Sequence, residues 1–334
     1  MKRALLVVQL VMIFSVMLLA ACGGTQAEQV NEPQNAPVNA ETNDTTVEEP
    51  VVEESPEPIT LVDGYGREVT LEQPAQQIVS LAPSITEILF AIGAGDQVVG
   101  RDDFSNYPEA AVSLPSIGGN FGELNTEAIV ALQPDLVLAA ELTTQEQVQA
   151  LQDLGLTVFL LANPVEMEGM YDMLGIAAQL TGRETETEAL VASLQERVAA
   201  VEETISSAET TPVVFYELDS TDPSAPWTAG PGTFIDTLIT MAGGDNLGAS
   251  FEGAWVQVSS EELLSKNPEI IVLGDAIWGV TVESVEARAG WEGIAAVQNG
   301  QIFPFNDDLA SRPGPRLVDG LEELAKLIHP ELFN

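Results

Sequence analysis

From Ile59 onward the chain alternates short, fully apolar runs with stretches whose apolar residues recur every three or four positions. Ile78-Val79-Ser80-Leu81 has the pattern of a buried strand ended by Ala82-Pro83-Ser84, and Ile85 to Ile92 continues as a helix closed by Gly93 and Gly95. Val98-Val99-Gly100 predicts a second strand. Asn125-Thr126 offers an N-cap to a helix over Glu127 to Leu132, which Pro134 breaks before the strand Asp135 to Ala139. Val148 to Leu154 predicts another helix, followed by Gly155 and the strand Thr157 to Leu161. Strand and helix alternating at this spacing specify an α/β lobe with a mainly parallel sheet.

The second half repeats the order. Glu127 to Leu138 aligns with Glu261 to Val272 at a constant offset of 134, and Gly93-Ala94-Gly95-Asp96 recurs as Ala242-Gly243-Gly244-Asp245 at an offset of 149. The difference predicts an insertion in the second lobe, in the loop Asp219 to Gly232. Two such lobes, facing one another across the carboxyl ends of their strands, make a ligand cleft. Between them, Met167 to Ala208 is helical in character throughout. Leu190, Val191, Leu194, Val198, Val201 and Ile205 form one apolar stripe, which fits a bridge between the lobes or a surface helix of one of them. A helix of about 23 residues spans ~34 Å, roughly the width of a lobe. The expected organisation is a signal over 1–21, a tether over 22–58, an N-terminal α/β lobe over 59–166, a helical connector over 167–208 and a C-terminal α/β lobe over 209–334.

The N-terminus supplies an address. Lys2 and Arg3 precede a run, Ala4 to Ala21, that is apolar except for Gln9 and Ser15, as in a secretory signal. Its length also sits at the lower edge of a bilayer span. Leu19-Ala20-Ala21-Cys22 resembles the lipobox of bacterial lipoproteins, which implies cleavage before Cys22 and acylation of this sole cysteine. The domain is then exported and anchored to the outer face of the cell membrane; an uncleaved anchor would keep it outside as well. The segment up to Pro58 has no aromatics and no apolar period, so it is expected to be a disordered acidic tether. A flexible chain of about 36 residues reaches roughly 30–36 Å.

Charge and composition then exclude most chemistry. Of 52 Asp+Glu and 11 Lys+Arg, 43 acids and 9 bases lie in the folded part, a net charge of −34. Nucleic-acid binding, which needs a basic footprint, is ruled out. His329, beside Pro330, is the only imidazole, so clustered-His zinc or manganese sites are absent and a Ser-His-Asp or Cys-His arrangement would have to use a residue better suited to a helix-end cap or the surface. No dinucleotide fingerprint follows a strand, and after the signal only Lys266 and Lys326 remain as lysines. No metal or cofactor is expected. An enzyme survives only as an exported carboxylate-dependent one.

Three groups of residues remain as candidates. Glu127 and Glu261 occupy equivalent first turns of equivalent helices, where acids complement the helix dipole or, as a symmetric pair, meet arginines of a two-fold partner. Phe104, Tyr107, Phe121, Trp227 and Trp255 fall in loop-like contexts and serve either as core plugs or as walls for a broad, partly apolar ligand. Asp308 and Arg312 lie on a Pro/Gly-stiffened stretch that can present a donor and an acceptor, with Arg316 at the start of the last helix.

Val62 to Thr70, Ile78 to Glu87, Asn125 to Asp135 and Ser311-Arg-Pro-Gly-Pro-Arg316 together resemble the substrate-binding lipoproteins of ABC importers for cobalamin, ferric siderophores and haem, the class III binding proteins. The resemblance covers Ile59 to Asn334 and implies two Rossmann-like lobes bridged by one long helix. It is nearest to the cobalamin-binding members. Phe104, Tyr107, Phe121, Trp227 and Trp255 match their aromatic loops, and Asp308 and Arg312 match positions that bond the amide rim of the corrin ring. Glu127 and Glu261 match carboxylates that pair with permease arginines. Phe121 stands where Trp is usual, and the loop around Asp308 is one residue longer. The resemblance thus implies a monomeric, non-enzymatic receptor that delivers a corrinoid to a permease and its ATPase, with a ferric siderophore or haem as the alternative ligand. A ligand-sensing lipoprotein without a transporter is the third reading.

Overall fold

The computed structural model describes residues 57–119 and 124–333. Cys22, the signal, nearly all of the tether and Phe121 lie outside the described residues. The described chain opens with an antiparallel ribbon, β1 (Ile59–Val62) and β2 (Glu68–Leu71). Then follow β3 (Ile78–Ser80), α1 (Pro83–Ala91), β4 (Val98–Arg101), α2 (Thr126–Ala131), β5 (Leu136–Ala139), α3 (Gln145–Asp153) and β6 (Val158–Leu160). Pro at the first helical position starts α1, and a Thr144/Gln147 capping box starts α3. The four strands form a parallel sheet in the order β4-β3-β5-β6. Leu136 to Ala139 are all buried, as expected for a strand covered by helices on both faces.

The connector is two helices, α4 (Met167–Thr181) and α5 (Glu184–Ile205), where the sequence predicts helical character without a break. Gly182 ends α4 in the left-handed conformation, φ 68°, and Arg183 N–H closes on the Ala178 carbonyl. The bridging helix itself runs 22 residues from Glu184, as its apolar stripe requires.

The second lobe contains β7 (Val213–Glu217), β8 (Trp227–Ala229), α6 (Phe234–Met241), β9 (Asp245–Asn246), β10 (Trp255–Gln257), α7 (Ser260–Lys266) and β11 (Ile270–Leu273). It ends with α8 (Val282–Glu286), α9 (Ala295–Gln298), β12 (Ile302–Pro304), α10 (Asp308–Ser311) and α11 (Leu317–Ile328). Its sheet is parallel in the order β12-β11-β7-β9. In each lobe the first strand therefore lies between the second and third, with the fourth outside the third, so the internal repeat is a repeat of topology. The inserted loop after β7 contributes β8, which pairs antiparallel with β10.

Apolar packing explains why two sheets behave as one body. Each lobe has its own outer layer, around Ile129 and Leu151 in the first and around Trp291 and Leu263 in the second. A larger core runs without interruption from Ile78 and Ile88 through Met170, Leu174, Leu194 and Val198 to Leu238, Leu321 and Leu324. Helices α4, α5 and α11 thus bind the lobes through buried side chains rather than through a flexible crossover. Arg197 on α5 adds bonds to Glu322 at 2.8 Å and Asp319 at 2.5 Å on α11. His329 caps α11 but is buried, not on the surface, its Nε2 lying 3.1 Å from the Gly243 carbonyl.

Candidate functional site

All four strands of the first sheet end in segments that line one cavity of ≈ 270 Å³. Leu81 to Ser84 follow β3, Asp102 and Phe104 follow β4, Ala140, Leu142 and Thr143 follow β5, and Asn163 follows β6. Ser311, Arg312 and Pro313, which follow β12, close it from the second lobe. Side chains at the carboxyl ends of parallel strands are free to face a ligand, which is where open α/β sheets bind one. The cavity lies at the predicted cleft.

Phe104 and Tyr107 stand on the loop after β4 and are 44 % and 47 % exposed. The loop is a built structure. Buried Asp102 accepts the Phe104 N–H at 2.8 Å and the Ser105 hydroxyl, and Ser105 Oγ lies 2.8 Å from Thr86 Oγ1 on α1. Trp227 and Trp255 are not in loops, as their Pro and Gly neighbours predict, but on the β8–β10 ribbon. Trp227 pairs with Gln257 and Trp255 with Ala229, so both indoles project from one face. As diagonal neighbours they stand ~7–8 Å apart, within reach of a single flat ligand. They are 40 % and 55 % exposed, so neither is a core plug. Trp278, in the turn after β11 at the same end of the second sheet, is the most exposed Trp at 78 %.

Asp308 and Arg312 are the first residue and the C-cap of the short helix α10, where the sequence predicts a loop. Arg312 Nη2 lies 2.9 Å from Asp308 Oδ1. Its Nη1 donates to Glu87 Oε1 at 2.9 Å and to Asn106 Oδ1 at 2.8 Å, both on the first lobe. Arg316 does start α11, and it also bonds Glu87, Nε to Oε2 at 2.7 Å and Nη2 to Oε1 at 2.6 Å, with its guanidinium 4.1 Å from the Tyr107 ring centroid. Burial depresses the charge of Arg316, but the Glu87 carboxylate outweighs it and holds its pKa above the ordinary value. Two arginines and two carboxylates make a neutral set, and Arg312 is the only cation among the described cavity-lining residues.

Neighbouring acids are shielded from the cleft. Asp307 accepts the Tyr216 hydroxyl at 2.6 Å, and burial raises its pKa against that bond. Asp275, after β11, is buried and pushed up to about 6, first by desolvation and then by Glu217, with Ser220 and Arg288 opposing. Glu217 in turn carries a buried ion pair with Arg288, whose guanidinium lies 4.5 Å from the Trp291 ring centroid.

Glu127 and Glu261 are both exposed in the first turns of α2 and α7. Capping is done by their neighbours, Asn125 Oδ1 to the Ala128 N–H in α2 and the Ser259/Glu262 box in α7. The two helices run back antiparallel to β5 and β11, so both glutamates lie at the cleft end of their sheets. Neither makes a hydrogen bond or ion pair with any described residue.

Sequence reasoning missed Glu87 and Trp278. Glu87 had a signal: a carboxylate inside the apolar run Ile85 to Leu89 requires a buried partner. Trp278 has only its position, between Ile277 and Gly279.

Residues 78–309 match the family model described as periplasmic binding protein. An uncharacterised ABC transporter substrate-binding lipoprotein of Bacillus subtilis, YvrC, is 34 % identical over 83 % of this chain and 87 % of its own. A cobalamin-binding protein of Halobacterium salinarum is 29 % identical over 81 % of this chain and 74 % of its own. The structure of the periplasmic haem-binding protein RhuT from Roseiflexus superposes with a TM-score of 0.69 at 28 % identity, covering 77 % of this chain and 99 % of that one. Matched over most of its length in sequence and in two-lobed fold, the chain belongs to the periplasmic binding protein family, the substrate-binding components of ABC transporters, which are not enzymes.

Proposed function

We propose that this protein captures cobalamin or a related corrinoid between its lobes and delivers it to the permease of an ABC importer and its ATPase. Phe104, Tyr107, Phe121, Trp227 and Trp255 supply the walls, and Asp308 and Arg312 bond the ligand's polar rim. Cys22 carries the lipid anchor, the protein acts as a monomer, and Glu127 and Glu261 dock on the permease. Tetrapyrrole is cargo here, and the protein holds no cofactor of its own.

The observation that carries this reading is a cavity lined by Phe104 whose one cation among the described lining residues, Arg312, is already neutralised, while Tyr107, Trp227 and Trp255 stand exposed outside that lining. A ligand rimmed with amides needs donors and acceptors but no net charge, and the Asp308–Arg312 pair offers both. An anionic ferric siderophore or the propionates of haem would meet an arginine committed to Glu87 and Asp308, beside the buried carboxylate of Asp102. The cobalamin-binding name of the Halobacterium relative supports the same choice. Haem is the second reading, favoured by the half-exposed Tyr107 phenol on the loop after β4 and by the Roseiflexus neighbour.

Calorimetric titration of the purified protein with cyanocobalamin, dicyanocobinamide, haemin and ferrichrome tests the proposal. One corrinoid per chain, bound more tightly than haemin or ferrichrome, is the expected result. Binding of haemin or ferrichrome alone transfers the assignment to iron uptake.

A further inference from the structure

Glu87 is the least exposed member of the ion cluster, with a side chain 3 % accessible, and it joins the two lobes directly beside the cleft. Its carboxylate is fully occupied. Oε1 accepts from both arginines and Oε2 from Arg316, a forked arrangement that fixes direction as well as distance. The arginines pass this restraint on to the loop after β4. Arg312 reaches Asn106 from the same Nη1 that bonds Glu87, and Arg316 lies on Tyr107. Thr86, the preceding residue of α1, holds the same loop through Ser105. Nη1 of Arg312 is shared by Glu87 and Asn106 and Nη2 is paired with Asp308, so the guanidinium is held in one orientation at the edge of the cavity.

We propose that Glu87 is a positioning residue that clasps the lobes at the cleft and, through Arg312 and Arg316, presets both the polar rim and the Phe104–Tyr107 loop before ligand arrives. The continuous core behind α4, α5 and α11 holds the far side of the lobes, and the clasp holds the near side. Binding then requires little ordering, which is how preorganisation raises affinity. The influence on affinity rests on the cleft being the ligand site proposed above, whereas the influence on lobe spacing does not.

The test uses the full chain carrying Cys22→Ser, with Glu146→Cys on α3 and Glu286→Cys on α8 as spin-label sites, both residues being exposed. Double electron–electron resonance without ligand is expected to give one narrow inter-lobe distance, broadened or shifted by Glu87→Gln. With cyanocobalamin as probe, Glu87→Gln is expected to weaken binding at least tenfold. Asn106→Ala, an exposed position that strands no buried charge, is expected to weaken it about threefold with the distance unchanged. If Glu87→Gln does not fold, Arg316→Lys, which keeps the charge but loses the fork, takes its place and is expected to broaden the distance. An unchanged distance distribution in the clasp variant, or cyanocobalamin affinity within twofold of the parent in both it and Asn106→Ala, overturns the proposal. Should the parent bind no corrinoid, the function proposed above fails, and the distance measurement alone decides the clasp.

Discussion

Trp227 and Trp255 provide the sharpest separation between a binding and a structural role. Each is replaced by Ala, singly and together. A Trp side chain offers ~200–250 Å² for burial. With 40 % and 55 % of each residue exposed, ~80–140 Å² remains to be covered by a ligand, worth ~2–3.5 kcal/mol per residue at ~25 cal/mol per Å². A ligand on one face covers roughly half of that, so each truncation should lose ~1–1.7 kcal/mol, or about 5–20-fold in Kd. The double variant should fall short of the product, because the indoles share one face and one ligand. Fold stability should hardly change, since truncating side chains this exposed shifts it by under about 0.5 kcal/mol. The assay is calorimetric titration with cyanocobalamin beside thermal denaturation of the same samples. Affinity within twofold of the parent in both single variants would refute the platform. A fall of more than about 4 °C in Tm would show that the indoles hold the fold instead.

Three further outcomes follow from the packing and electrostatics. Asp275 titrates near 6 in the fold against 3.8 as its ordinary value, so the folded chain holds this proton more tightly than the unfolded one. Its contribution is most favourable below about pH 4 and is lost as pH rises through 6; Asp275→Asn should therefore raise Tm at pH 8 and leave it nearly unchanged at pH 4, and equal shifts at both would contradict the assignment. Glu127→Ala with Glu261→Ala should leave ligand affinity within twofold and reduce uptake into cells severalfold, while normal uptake by the double variant would remove their docking role. Gly182→Ala places a side chain at φ 68° with its Cβ 3.1 Å from Pro74, and should cost about 1–2 kcal/mol, read as a drop of roughly 2–6 °C in Tm.

The sequence carries the fold unusually well because its organising signals are local. Apolar runs such as Leu136 to Ala139, the proline after α2 and the heptad-like stripe of α5 fix elements within a few residues, and the 134-residue offset exposes the repeated topology. The break at Gly182 escaped because Arg183 and the acids after it are good helix residues, and only the left-handed backbone reveals the stop. The ribbon carrying Trp227 and Trp255 escaped for another reason. Three-residue strands flanked by Pro and Gly have no readable period, and their pairing joins segments on either side of α6 and β9. The cluster around Glu87 is longer in range still, since its arginines lie 225 and 229 residues away. A lone carboxylate in an apolar helix signals that a partner exists but not which one. The aromatic positions were legible as a set, whereas their exposure and shared face depend on tertiary pairing.

A neutral, amide-rimmed ligand held on aromatic walls is the central claim, and salt tests it directly. Cyanocobalamin is titrated into the purified protein at 50 and 500 mM sodium chloride, with haemin as the comparison. The account predicts one cyanocobalamin per chain with a Kd that changes less than twofold between the two salts, because no net charge is neutralised on binding. Stoichiometric haemin binding that weakens with salt, together with no heat from cyanocobalamin, would contradict it.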